Sequence, residues 1–310
     1  MKGIAYSILA ISLILTACGE FKQGEGNLRY KIHEDKNGPT IKEGDFIGFV
    51  ATEKTEEDSV IYNSDDYGRP TYMFCGKPMF EGDLTSGLNL LSEGDSATLK
   101  IDINSMVEIG RARPANTKEK YFIYNLRITD VVSKGTLSDS AFKMKVDERM
   151  LDKIKRWEKE EPLKIKKFLV LNKLEPLVTP SGLIYHIFQE GKGMDYMRGD
   201  SVDVHYTIKL FSGKIIDSTL PETVKKWERF DYQRPDGPLR WSEGLGSRFY
   251  PPSFNEGVTM FPEGTKARLI IPSVLAYEGE GGNGIPPYIP LVVDIEILKI
   301  IPNHSGNWLD

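Results

Sequence analysis

Two segments of this chain are written twice. Glu93–Ile101 (EGDSATLKI) returns 170 positions later as Glu263–Ile271 (EGTKARLII), and Gly44–Lys54 (GDFIGFVATEK) returns 155 positions later as Gly199–Lys209 (GDSVDVHYTIK). Such a repeat commits the chain to two copies of one fold, each burying its own apolar face. At 310 residues there is room for about two domains. The two offsets differ by 15, so the second copy carries an insertion of that size. Thr219–Leu239, rich in proline and charge, is the place for it.

The repeated segments read as strands. In the second copy Val202, Val204, Tyr206 and Ile208 fall on one face, with Ser201, Asp203, His205 and Thr207 on the other. Leu291, Val293, Ile295 and Ile297 alternate in the same way, with Asp294 and Glu296 breaking the opposite face. Both strands face one core, and Tyr206 points into it. The first copy has Leu99, Ile101 and Ile103 in one strand and Phe122, Tyr124, Leu126 and Ile128 in another.

Between the copies the period changes. Phe142, Val146, Met150, Ile154 and Trp157 recur at spacings of three and four, and Ile165, Phe168, Leu169 and Asn172 follow Pro162. Proline suits the first turn of a helix better than its middle, so two helices are predicted, the second starting at Pro162. Their apolar stripe fits either a spacer packed on a domain or an arm that binds clients or dimerises.

The N-terminus reads as a targeting segment, with Lys2 followed by an apolar run from Ile4 to Ala17. Fourteen residues are too few to span a bilayer, which takes about 20. Leu15-Thr16-Ala17-Cys18-Gly19 resembles a bacterial lipobox, the alternative being a plain cleaved signal with a chance cysteine. That resemblance implies an acylated Cys18 as the mature N-terminus, with more than one acyl chain to hold it on a membrane. Gly19 in place of aspartate implies, by resemblance to lipoprotein sorting signals, the periplasmic side of the outer membrane. Residues 18–27 are polar and glycine-rich, as a flexible tether is. The other cysteine, Cys75, sits among Tyr72, Met73 and Phe74 and reads as a buried small hydrophobe.

A hydrophobic fraction of 40% and a charged fraction of 27% describe an ordinary globular protein. The net charge is −5 and no basic block exists, which sets nucleic acid aside as a partner. His33, His186, His205 and His304 are scattered without metal-ligand spacing. No serine, histidine and acid combination stands out for nucleophilic catalysis. Gly279–Gly284 (GEGGNG) lacks a phosphate-loop lysine and leads into Ile285-Pro286-Pro287, so it reads as a turn. Neither a metal nor a cofactor is expected.

In the second copy VHYT, SGK, IIDS, NEGV, EGTKARL, AYEGEGG, GIPP and LVVDIEIL follow one another in the order and spacing of the FKBP-type peptidyl-prolyl cis/trans isomerases, which the chain resembles from about Gly182 to Ile300. The resemblance implies an α+β chain of two FKBP-like domains, each an antiparallel sheet wrapped around a short helix, joined by a helical linker. The boundaries expected are 1–17 leader, 18–27 tether, 28–133 first domain, 134–176 linker, 177–302 second domain and 303–310 tail. Residue by residue, Tyr206, Asp217 and Tyr277 match the family's catalytic tyrosine, aspartate and hydroxyl donor. Ile216, Trp241, Tyr250, Pro251, Phe254, Ile285 and Val293 match the walls and floor that take the prolyl ring. The first copy has Ala51 where the second has Tyr206, is aligned with Asn63 at Asp217, and carries EIGRARPANTKEK in place of the AY-G and IPP segments. It reads as the same fold without the pocket.

The chemistry implied needs no nucleophile. An X–Pro bond rotates over tens to hundreds of seconds against a barrier near 18–20 kcal/mol, because rotation breaks amide resonance. Planar amides are more polar than the twisted transition state, so a dry apolar pocket removes water's preference for the ground state, and a donor aimed at the twisted carbonyl adds to the gain. Here Ile216, Phe254 and Val293 stand where the family usually has a phenylalanine, a tryptophan and a phenylalanine. A wider hollow and weak activity are therefore expected, since a good ring contact is worth on the order of 1 kcal/mol and 1.36 kcal/mol is tenfold in rate. Trp227, Phe230 and Tyr232 of the insertion either widen the client-binding surface or pack on their own domain. The expected partners are proline-containing exported proteins at the cell envelope. Two rivals remain: a chaperone-like binding module with incidental turnover, and a structural component of an envelope complex.

Overall fold

The computed structural model describes residues 20–111, 118–226, 237–242, 250–277, 281–282 and 284–303. The leader with Cys18, and Trp227, Phe230 and Tyr232 of the insertion, lie outside the described residues.

Each repeat becomes an antiparallel sheet. The first copy contributes β1 (Lys22–Gln23), β2 (Arg29–Glu34), β3 (Phe46–Lys54), β4 (Val60–Asn63), β5 (Thr71–Phe74), α1 (Leu84–Leu88), β6 (Ser96–Asp102), α2 (Ile103–Glu108) and β7 (Tyr121–Val132). After the linker α3 (Asp139–Leu171) come β8 (Leu177–Val178), β9 (Ile184–Gln189), β10 (Ser201–Lys209), β11 (Ile215–Ser218), α4 (Pro221–Lys226), β12 (Leu239–Ser242), α5 (Pro252–Thr259), β13 (Lys266–Ile271) and β14 (Leu291–Ile301). The first sheet runs β1-β2-β6-β7-β3-β4 with β5 beside β3, and the second runs β8-β9-β13-β14-β10-β11 with β12 beside β10. The orders are the same, strand for strand. The chain is therefore α+β, with two domains of one topology.

In both sheets the alternating faces meet a short helix. Val202, Val204, Tyr206 and Ile208 of β10 and Leu291, Val293, Ile295 and Ile297 of β14 are all buried, together with Phe254 and Val258 of α5. Their counterparts in the first domain are Ile47, Phe49, Leu99, Ile101, Leu126 and Ile128, covered by Leu88 of α1. A glycine lets each helix approach its sheet. A Cβ on Gly257 would stand 2.2 Å from Leu269 Cδ1, and one on Gly87 2.4 Å from Leu99 Cδ1.

Several expectations change here. Ile103 does not extend β6 but opens α2, because the Asp102 carboxylate accepts the Ser105 N–H at 2.9 Å and caps the helix. Lys22 and Gln23, expected in the tether, form β1 against Arg29 and Tyr30. The linker is one helix rather than two, with Pro162 inside it. An internal proline costs a helix about 3 kcal/mol, which burial of Ile165 and the hydrogen bonds of Glu161 to Ser273 offset. Most of the insertion lies between β11 and β12. Asn63 and Ser218 pair with equivalent residues of β3 and β10 at an offset of 155, while Phe74 and Ser242 stand 168 apart. The remaining two positions lengthen the start of α5, since the helices begin 168 apart but Gly87 and Gly257 stand 170 apart.

The linker is anchored at both ends. Asp130 of β7, with a side chain 4% exposed, takes Arg149 at 3.2 Å and Lys153 at 2.9 Å from α3. Further on, Phe168 stacks on Phe211 of the second domain with centroids 4.5 Å apart. The domains also touch directly, through Lys214 and Asp66 at 3.1 Å. No described helix is long and apolar enough to cross a membrane.

Candidate active site

The site grows out of the β10–β11 hairpin. Ile208 pairs with Asp217 and Thr207 with Ser218, which leaves Asp217 diagonal to Tyr206 and within reach of its long side chain. The register is pinned by a polar cluster: Tyr206 N–H donates to Thr219 Oγ1 at 2.8 Å, and the Thr207 and Ser218 hydroxyls share a bond of 2.9 Å. The Tyr206 hydroxyl donates to Asp217 Oδ2 at 2.5 Å and lies 3.2 Å from the Tyr250 hydroxyl. Asp217 also accepts the Ser218 N–H, at 2.8 Å. Burial first, and then the Asp217 charge, push the Tyr206 phenol far above its ordinary range. It stays a donor at any accessible pH.

Three rings converge there. Tyr206 meets Tyr250 and Phe254 edge-on, at 5.6 and 5.3 Å, and Tyr250 stacks on Phe254 at 4.9 Å. Phe254 has no exposed surface and Tyr206 is 1% exposed, whereas Tyr250 is half-buried. Pro251 caps α5, its carbonyl accepting the Phe254 N–H at 2.8 Å. Val293, between Ile208 and Leu269, and Trp241, paired with Val202, are buried in the same cluster. Ile285 is buried in it too, with Ile216 and Tyr277 packed at its margin. The structure thus brings eight of the ten expected pocket residues to one apolar cluster, with Asp217 joined to it through Tyr206 and Pro251 at the cap of the helix that carries Phe254. The Tyr250 ring covers one face of Phe254.

Tyr277 and Ile285 come from the connection between β13 and β14. Ile285 is held by a two-way bridge with Gly282, at 2.9 and 2.8 Å. The Tyr277 ring lies over Gly282, where a Cβ would stand 2.8 Å from it.

The first domain has the same framework with different contents. Ser64 Oγ accepts the Ala51 N–H at 3.0 Å, as Thr219 does for Tyr206. This register corrects the equivalence drawn from sequence: Glu53 pairs with Tyr62 as Ile208 pairs with Asp217, so Tyr62 and not Asn63 occupies the aspartate's position. Asn63 instead caps the turn that follows, accepting the Asp65 N–H. Tyr124 takes the place of Val293 opposite Leu99, and the Glu53 side chain hydrogen-bonds to it. Burial raises the Glu53 carboxyl, opposed by that bond. An ionisable group thus stands where the second domain has the apolar Ile208.

Sequence reading missed Arg69, Trp157 as a contact to the second domain, and Glu161. The available signal was Glu161 itself, a carboxylate four residues from both Trp157 and Ile165 inside the linker's apolar stripe. Cys75 is buried and reduced, its thiol raised by burial. No group of metal-ligating side chains exists among the described residues.

A family model for FKBP-type peptidyl-prolyl cis-trans isomerases matches residues 193–298. The chain is 36% identical over 125 residues to the FKBP-type 22 kDa peptidyl-prolyl cis-trans isomerase of Escherichia coli, covering 40% of this chain and 52% of the relative. It is 33% identical over 120 residues to the FK506-binding protein of Neisseria meningitidis serogroup B, covering 38% of this chain and 96% of that protein. The crystal structure of FkpA from Escherichia coli aligns at 28% identity and a TM-score of 0.40 over 54% of this chain and 74% of that one. The chain belongs to the FKBP-type peptidyl-prolyl cis-trans isomerase family. It spans about half the length of the Escherichia coli 22 kDa relative.

Proposed function

We propose that the second domain isomerises X–Pro bonds in exported proteins as they fold, and that the protein works at the cell envelope. The observation that carries this reading is the bond from the buried Tyr206 to the half-buried Asp217, set beside Phe254, Tyr250 and Val293 in an otherwise apolar cluster. The pair gives the cluster one fixed carboxylate and leaves the rest apolar. A prolyl amide entering it loses the water that favours its planar, more polar form. The Tyr277 hydroxyl is the donor for the twisting carbonyl, and no covalent step is needed.

Because Tyr250 stacks on a fully buried Phe254, a prolyl ring reaches that face only when Tyr250 swings aside. This fits slow turnover. The first domain, with Ala51, Tyr62 and Glu53 in the equivalent positions, does not isomerise.

Lipid anchoring through Cys18 rests on the Leu15–Gly19 sequence and carries the proposal of an outer-membrane, periplasm-facing position. Membrane fractionation of cells expressing wild type and Cys18→Ala tests it: the variant should leave the membrane fraction. For the activity, the test is refolding of a client whose slow phase is prolyl isomerisation. The phase should shorten with wild type and not with Asp217→Ala.

A second reading, a chaperone-like binding module with little turnover, is favoured by a groove of about 630 Å3 between α3 and the second domain, lined by Pro162, Ile165, Leu169, Ile184, Pro272 and Val274. It calls for suppressed aggregation of a denatured client that survives Asp217→Ala and Tyr277→Phe.

A further inference from the structure

Both ends of the connection that carries Tyr277 and Ile285 are held by groups from outside the second domain. At its start, the Glu161 carboxylate of α3 accepts the Ser273 N–H and the Ser273 hydroxyl, each at 2.6 Å. Glu161 is 9% exposed and Ser273 is buried. At its far end, the Arg69 guanidinium of the first domain donates to the carbonyls of Pro287 and Tyr288. Arg69 is 8% exposed and lies 4.4 Å above the Trp157 ring of α3, which in turn meets the Tyr288 ring at 6.4 Å.

We propose that Arg69, Trp157 and Glu161 form a clamp through which the first domain and the linker position Tyr277 and Ile285 in the prolyl site. The clamp rests on the isomerase reading of that site, and it gives the first domain a role there although its own hollow is not a prolyl pocket. Three observations support it.

Ser273 lies four residues before Tyr277, and Pro287 two after Ile285, so the fixed points bracket the working residues closely. Tyr288 has φ +58°, a left-handed conformation that side chains other than glycine adopt at a cost. Its carbonyl is one of the two that Arg69 holds, so that conformation is stabilised from the other domain. Finally, two parallel donors at fixed separation match the planar fork of arginine and not the single ammonium of lysine. Burial lowers the Arg69 guanidinium to about 10, with the Glu161 charge as the largest opposing influence, so it remains charged near neutral pH.

Arg69, Trp157 and Glu161 are positioning residues, since none is among the residues matched to the prolyl pocket. Their value lies in holding a hydroxyl donor where the carbonyl will be, and a misplacement of about 1 Å can cost on the order of a hundredfold in rate.

The test uses the chain lacking residues 1–18 and two readouts, tetrapeptide turnover and amide exchange of residues 281–290 against β13 and β14. Arg69→Ala should lower kcat by roughly tenfold with little change in KM, the pattern of lost transition-state placement. It should speed exchange at 281–290 while β13 and β14 keep their protection. Arg69→Lys should recover only part of both effects, and Glu161→Gln should act in the same direction as Arg69→Ala. Unchanged kcat and unchanged exchange in Arg69→Ala overturns the clamp, as does exchange that rises equally in β13 and β14, which marks mere support of the domain. A wild-type chain with no turnover overturns the isomerase reading instead, and the exchange data then judge the clamp by themselves.

Discussion

The Tyr206 hydroxyl donates a hydrogen bond to Asp217 at 2.5 Å, diagonally across a hairpin whose counterpart in the first domain holds Ala51 and Tyr62. One framework thus carries a tyrosine–aspartate pair at these two positions in one domain and none in the other. Tyr206→Phe should leave the fold intact and lower turnover by roughly tenfold, because a hydrogen bond to a charged group is worth about 1.5–3 kcal/mol and Asp217 keeps only part of its support. Steady-state kinetics on a proline tetrapeptide measure it.

Gly257→Ala should destabilise the second domain by about 1–3 kcal/mol, since the new methyl drives α5 off Leu269 in a packed core. Urea denaturation followed by tryptophan fluorescence reads this directly.

Phe254→Ala should cost about 3–5 kcal/mol, the usual range for deleting a buried phenylalanine. Calorimetry of the full chain should show the second-domain transition moving down while the first stays in place.

The acid side of the stability profile should depend on Asp294. Burial by itself would raise its carboxyl, but hydrogen bonds from Arg268 and Lys209 outweigh this and hold it below the ordinary aspartate range. A depressed carboxyl stabilises the fold above its unfolded value, near 3.9, and that stability is lost as pH falls through the folded value. Between pH 6 and pH 3 the wild-type urea midpoint should therefore fall further than that of Asp294→Asn. Equal slopes would remove Asp294 from the account.

Much of this was legible in the sequence because strands have a period of two. Val202 to Ile208 and Leu291 to Ile297 fix which side chains share a core, and the paired motifs fix the repeat. Register at hairpin ends was not legible: Asn63-Ser64 looks like Asp217-Ser218, yet the ladder sets Tyr62 opposite Glu53. The unbroken helix through Pro162 depends on tertiary contacts that no local rule contains. Arg69 lies more than 200 residues from Pro287, and only the docking of two domains on one helix brings them together.

The cluster around Tyr206, Asp217 and Tyr277 is the proposed seat of X–Pro isomerisation. The most direct measurement is cis-to-trans conversion of a proline tetrapeptide by the chain lacking residues 1–18, alongside Asp217→Ala and Tyr277→Phe. The expected result is a rate that rises linearly with protein concentration and falls at least tenfold in each variant, as loss of about 1.4 kcal/mol of transition-state binding requires. A wild-type rate equal to the uncatalysed one would contradict it.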